Sequence, residues 1–189
     1  MNQVFSTPIW HLRAEEKDKA ILPEMHQWAL KYKRENPGVI RSNDGGYHSP
    51  DHIDFGKLLH FENLQERLSW LPNFYYTNWW ININLKGDLN RKHTHPGCVL
   101  SGIWYITDNY NGLVFDHPQD HIREDLYNMF PEMYLQHSWD CKAGDIILFP
   151  SDIVHWVKRH ELRSPRISIA FNIIRYLQKR TGDGLTVSK

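Results

Sequence analysis

Apolar positions recur at helical spacing before about residue 74 and alternate after it, so the chain divides into a helical part and a strand-rich part. Residues 3–10, QVFSTPIW, predict a short edge strand, because Pro8 lacks the amide hydrogen that a central ladder needs. From Glu15 to Arg34, Ala20, Ile21, Met25, Trp28, Ala29 and Tyr32 fall three and four residues apart. That spacing predicts an amphipathic helix, stopped by ENPG at 35–38, with Pro23 near its start or at a kink. Residues 36–56 are dense in Gly, Pro, Asn, Asp and Ser and predict a long loop. Leu58, Leu59, Leu64, Leu68 and Leu71 predict a second helix over 57–71, ending before Pro72.

Six later runs have strand character: WWININLK at 79–86, CVLSGIWYIT at 98–107, GLVFDHP at 112–118, DIILFPS at 145–151, VHWVKRH at 154–160 and RISIAFNIIRY at 166–176. Helices come first and strands follow, with no repeating βαβ order. The expected class is therefore mainly β with flanking helices packed on one outer face of a largely antiparallel double sheet. A chain of 189 residues fits one domain. The expected division is an N-terminal strand and helical support over 1–73, a core over 74–178 and a tail over 179–189.

Acidic and basic residues balance at 22 each, which argues against binding nucleic acid or anionic membranes by charge. No segment reaches the roughly 18 consecutive apolar residues of a membrane helix, and the first residues lack the basic-then-apolar pattern of a signal peptide. A cytoplasmic protein is expected. Two cysteines, Cys98 and Cys141, fit free thiols in a reducing compartment better than a disulfide framework, although one bridge stays open. The 12 histidines and 8 tryptophans suit a metal-containing pocket with aromatic walls.

The stretch NRKHTHPGCVLSG at 90–102 places His93 and His95 one residue apart. On a strand, both imidazoles would point to one side. Spacing alone is compatible with a metal half-site or with a turn. His155 lies in a later strand, and Arg166 and Ser168 share one face of the last, opposite Ile167 and Ile169. A buried guanidinium needs an anionic partner, and its planar fork matches a carboxylate. Asp145, Asp152, Glu161 or a bound ligand would serve. Ser101, Ile103 and Tyr105 share a face of the 98–107 strand, while Asn82, Asn84 and Asn172 interrupt apolar strands, where they line a pocket or cap bulges.

The order His93, His95, His155, Arg166, Ser168 resembles that of the Fe(II)- and 2-oxoglutarate-dependent oxygenases. In that superfamily a His-x-Asp/Glu pair is followed much later by a second His and then by an Arg or Lys, often as Arg-x-Ser. NRKHTHPGCVLSGIWY at 90–105 fits the pattern N-x-x-H-x-H-P-G-x-x-L-S-G-x-x-Y of a small branch similar to prolyl hydroxylases. The similarity continues through GLVFD, GD, LFPS and RISIAFN over roughly residues 79–176.

The resemblance implies a double-stranded β-helix, or jelly roll, that binds Fe(II) and 2-oxoglutarate, with ascorbate as an accessory reductant. It implies His93, His95 and His155 as metal ligands, with Asp116 in reserve. Arg166, Ser168, Tyr105 and Asn84 are then the cosubstrate residues, the first three cradling its distal carboxylate. The reaction implied consumes O2 and 2-oxoglutarate, releases succinate and CO2, and hydroxylates a C–H bond of a peptide, an amino acid or a small metabolite. His95 departs from the pattern, standing where most relatives carry a carboxylate. Three neutral imidazoles would leave the metal's +2 charge to be cancelled by the dianionic cosubstrate.

Two alternatives remain at this point: a cupin-type dioxygenase working without 2-oxoglutarate, and a non-catalytic zinc- or sugar-binding jelly roll. No role is assigned to His11, His26, His48, His52, His60, His117, His121, His137 or His160, most of which are expected in solvent, His117 being the best placed because it adjoins Asp116. Loop 36–56 and the insertion 119–139 are long enough for a lid over an unknown primary substrate. Exposed strands beside the helices leave room for a homodimer.

Overall fold

Long alternating runs after residue 73 force two antiparallel sheets. The computed structural model describes residues 6–118, 128–129, 135–175, 178–181 and 184–187. The elements are β1 (Trp10–Leu12), α1 (Glu16–Glu35), β2 (Asn43–Asp44), β3 (Tyr47–His48), a 3-10 turn (Phe55–Lys57), α2 (Phe61–Arg67), β4 (Phe74–Asn84) and β5 (Leu89–His93). They continue with β6 (Leu100–Tyr105), β7 (Asn109–Asp116), β8 (Gln136–Cys141), β9 (Ile146–Pro150), β10 (His155–Val157), β11 (Arg166–Arg175), β12 (Gln178–Thr181) and β13 (Gly184–Val187). One sheet has the order β1-β9-β6-β11-β4-β3, the other β2-β5-β10-β7-β8, and β12 and β13 pair separately.

Alternation assigns each face of the larger sheet. Trp79, Ile81 and Ile83 of β4 and Ile167, Ile169 and Phe171 of β11 are fully buried in a cluster that also holds Met25 and Ala29 of α1 and Leu64 of α2. Each such aliphatic side chain contributes about 1.5–3 kcal/mol on burial. The helices therefore cover the outer face of this sheet, as the order of elements predicts. The intervening residues, including Asn82, Asn84, Arg166 and Ser168, turn toward the smaller sheet and line a cavity with it. At Gly102 a Cβ would stand 2.1 Å from Phe171, so glycine lets that ring occupy the space over β6.

Several expectations need correction. The first strand is Trp10–Leu12, at the sheet edge as expected but shifted; residues 3–5 lie outside the described residues. Pro23 falls well inside α1, on its exposed face, where water can meet the carbonyl it leaves unpaired. The second helix is shorter than predicted: His60 takes φ 56°, and a left-handed residue separates the Phe55–Lys57 turn from α2. Residues 36–56 are not all loop. Gly45 and Gly46, at φ 72° and 65°, turn the chain between β2, which pairs with β5, and β3, which pairs with β4. This segment thus crosses from one sheet to the other. Strands β5 and β8 were not predicted, since LNRKH and QHSWDC are too polar to alternate.

Two buried polar clusters tie the N-terminus to the sheets. Asp18 accepts from Arg67 Nη1 at 2.5 Å and from the Glu15 amide at 2.7 Å, while Arg67 Nη2 donates to the Leu12 and Arg13 carbonyls. Asp145 accepts from the Ala14 amide and lies 2.8 Å from His11 Nε2, whose Nδ1 accepts from Trp139. Cys98 and Cys141 are free, so no bridge joins them. No helix among the described residues is long and apolar enough to cross a membrane.

Candidate active site

A cavity between the sheets opens beside three histidines. His93 ends β5 directly opposite His155, which begins β10. His95 arrives differently from the sequence expectation. It is not on the same strand as His93 but in the turn that follows, where Gly97 at φ 85° bends the chain and the His95 amide donates to the Ser151 carbonyl at 2.8 Å. A turn, not strand parity, brings the two imidazoles together.

One nitrogen from each of His93, His95 and His155 lies within 4.8 Å of the others. The Arg91 carbonyl is 2.7 Å from His93 Nδ1 and the Ile153 carbonyl 3.0 Å from His155 Nδ1. A carbonyl only accepts, so both Nδ1 atoms carry hydrogen and both Nε2 atoms offer lone pairs. This is the support that metal-bound histidines ordinarily have. His155 Nε2 and His95 Nε2 are 3.2 Å apart, short enough for both to sit ~2.1 Å from a common point.

Burial keeps the cluster neutral. It pushes His155 down to about 3 and His95 to about 4, assisted by repulsion from neighbouring histidines, and it lowers His93 as well. Phe149 packs 4.6 Å from the His155 ring and Trp80 5.4 Å from that of His95, forming apolar walls. Three neutral nitrogen donors suit a divalent transition ion such as Fe(II) or zinc.

Asp116 lies outside this cluster. Its carboxylate accepts from Trp156 Nε1 at 3.1 Å and Gln136 Nε2 at 3.0 Å and pairs with Lys92 Nζ at 2.5 Å. Lys92 precedes His93 and Trp156 follows His155, so the aspartate clamps the two strand ends that bear those histidines.

Deeper in the cavity, Arg166 stands opposite Asn84 across β4–β11, and Ser168 stands between Asn82 on one side and Tyr105 on the other. Arg166 is 5% exposed, yet among the described residues its guanidinium donates only to the neutral Asn109 Oδ1 at 3.4 Å and the Lys158 carbonyl at 3.3 Å. Among the described residues no carboxylate lies within 4.0 Å of it. Asp145 is engaged with His11 and Arg13, while Asp152 and Glu161 are exposed. Burial lowers the Arg166 pKa, partly offset by Tyr105 and Asp88. Among the described residues its charge is thus buried without a carboxylate partner, and it faces a cavity, which suits an anionic ligand.

Asn82 lines the pocket, one of the two placements that the sequence leaves open. Among the described residues its Oδ1 has no hydrogen-bond partner, so it is an acceptor ready for a bound donor. His48 and His160 are buried, not solvated, and His48 stacks on Trp80 with centroids 5.5 Å apart. Asn172 is a structural residue, bonded to Ser101 and Asn78. Asn109, which contacts both Tyr105 and Arg166, carried no periodic signal. The insertion 119–139, like His121, lies largely outside the described residues.

Comparison with known proteins completes the picture. No curated protein matches the chain. Among solved structures, the non-haem α-ketoglutarate-dependent carbocyclase SnoK of nogalamycin biosynthesis is similar, with TM-score 0.63 and 13% identity over 90% of this chain and 80% of that one. HygX from Streptomyces hygroscopicus with nickel and 2-oxoglutarate bound gives TM-score 0.61 and 12% identity over 89% and 83%. A Pseudomonas putida prolyl-4-hydroxylase gives 0.61 and 13% over 90% and 94%. These likenesses establish the jelly-roll fold. The family model described as "Putative 2OG-Fe(II) oxygenase" matches residues 78–172, half of the chain and the whole span from the inner face of β4 through the three histidines to Arg166 and Asn172. The chain belongs to the 2-oxoglutarate- and Fe(II)-dependent oxygenases.

Proposed function

We propose that this oxygenase holds Fe(II) with His93, His95 and His155 and receives 2-oxoglutarate with its distal carboxylate on Arg166, Tyr105 and Ser168, beside Asn84. The observation that carries this reading is one cavity shared by three neutral imidazoles and a buried guanidinium with no carboxylate partner among the described residues. The donor set fits the ion, and the unspent positive charge fits a dicarboxylate. Bound there, the iron supplies oxygen activation that couples decarboxylation of 2-oxoglutarate to succinate with oxidation of a substrate C–H bond.

The protein's own contribution is orientation and exclusion of water. Carbonyls of Arg91 and Ile153 fix two imidazoles, Asp116 clamps their strands, and Phe149 and Trp80 line the cluster with apolar surface. The charge on Arg166 favours a cosubstrate with a second carboxylate and so disfavours the cupin-type alternative. We assign the reaction as hydroxylation of a peptide, amino acid or small metabolite. The similar structures include a carbocyclase, an epimerase and a prolyl hydroxylase, so fold alone does not select among substrates.

Anaerobic addition of Fe(II) and 2-oxoglutarate should produce a visible charge-transfer band, and admission of O2 should then yield succinate. Iron binding without either signal overturns the proposal.

A further inference from the structure

We propose that Asn109 is a positioning residue that presents Arg166 and Tyr105 to the distal carboxylate of the cosubstrate, an inference that rests on the site assignment above. Asn109 begins β7 and is 1% exposed. Its amide lies between the two groups, with Arg166 Nη1 donating to Oδ1 at 3.4 Å and Nδ2 donating to Tyr105 Oη at 3.3 Å. A guanidinium has only donors, so the oxygen of the amide must face Arg166 and the nitrogen must face Tyr105. The phenol oxygen therefore accepts from Asn109, and its own hydrogen, within reach of the Cys141 sulfur, can turn to a stronger acceptor such as a bound carboxylate. Burial raises the Tyr105 pKa well above the ordinary value, so that hydrogen is retained.

The placement comes from an irregular stretch of β7. Asn109 pairs with Cys141 and Leu113 with Trp139, so four steps on β7 span two on β8, with Asn111 at φ 48°. Extra residues of this kind bend a strand and re-aim side chains, often beside functional sites. Here the bend carries the Gly112 backbone against the same pair. A Cβ at Gly112 would stand 2.1 Å from Asn109 Oδ1 and 2.7 Å from Arg166 Nη1. Gly112 also accepts from the Lys158 amide at 2.8 Å, and the Lys158 carbonyl accepts from Arg166 Nη2. Neutral acceptors thus fix the guanidinium from two sides without cancelling its charge. A carboxylate at position 109 would fix it and cancel it.

The test compares binding of 2-oxoglutarate with that of 2-oxobutyrate, which keeps the chelating 2-oxo acid but lacks the distal carboxylate. Anaerobic calorimetry on the Fe(II)-loaded protein gives both dissociation constants. In the wild type, 2-oxoglutarate binds more tightly. In Asn109→Asp, that preference falls by about tenfold or more while 2-oxobutyrate affinity is kept. Gly112→Ala, which retains Asn109 but displaces the pair, lowers the preference in the same direction and serves if Asn109→Asp does not fold. Tyr110→Phe, a neighbouring exposed change, leaves it unaltered. If both variants lose thermal stability but keep the wild-type preference, Asn109 is merely structural and the proposal is overturned. If the wild type itself shows no preference, the cosubstrate site is misassigned and the role of Asn109 falls with it.

Discussion

The Nε2 atoms of His95 and His155, sixty residues apart in the chain, lie 3.2 Å from one another. One comes from a turn held on the Ser151 carbonyl and the other from the first residue of β10. Replacement of His155 or His93 by Ala should reduce bound iron and bring succinate formation to background. Metal content of the anaerobically reconstituted variants, with succinate measured on the same samples, checks this. Wild-type turnover in either variant removes that histidine from the first coordination sphere.

Asp116 separates a clamp from a ligand. As a clamp on Lys92 and Trp156 it should be replaceable: Asp116→Ala should weaken iron binding by roughly 10–100-fold, the ordinary loss when a group supporting a ligand is removed, while leaving saturable binding. Complete loss of iron in Asp116→Ala, together with retention in His95→Ala, would make the aspartate the third ligand instead.

The metal-free protein should lose stability as pH falls below neutrality. Both states carry neutral histidines above 6.5. Below that value the unfolded chain takes up protons that folded His155 and His95 refuse until about 3 and about 4, so folding is penalised progressively across this window. Denaturant midpoints of the apo-protein should therefore decline from pH 7 toward pH 4, and the decline should be shallower in His155→Gln. Parallel profiles for the two proteins would show that His155 is not the group responsible.

The Asp18–Arg67 pair should be costly to break from one side. Both side chains are buried, and Asp18 also receives the Glu15 amide at the start of α1. Asp18→Ala leaves a guanidinium without its carboxylate and should cost about 3–5 kcal/mol in equilibrium unfolding. The double replacement Asp18→Leu with Arg67→Met should cost less than Asp18→Ala alone. A larger loss in the double variant would contradict that account.

Sequence alone determined what depends on one element at a time. The spacing of Met25, Ala29 and Tyr32 marks α1, and the alternation of Ile81 with Asn82 or Ile167 with Arg166 assigns the two faces of β4 and β11, because each residue's burial follows directly from helical or strand period. The motif at 90–105, with His155 and Arg166, carried the oxygenase resemblance that the match over 78–172 bears out at the level of the family. Tertiary structure decided what depends on register and turns between elements. The polar strands β5 and β8 exist because neighbouring strands supply their partners, not because their own residues alternate. His95 meets His93 through a turn; Asp116 meets Lys92 and Trp156 across strands; and Asn109 meets Arg166 through an irregularity in β7. Periodicity reports which face a side chain takes, whereas convergence on a single point is set by strand pairing and backbone bends that no local pattern encodes.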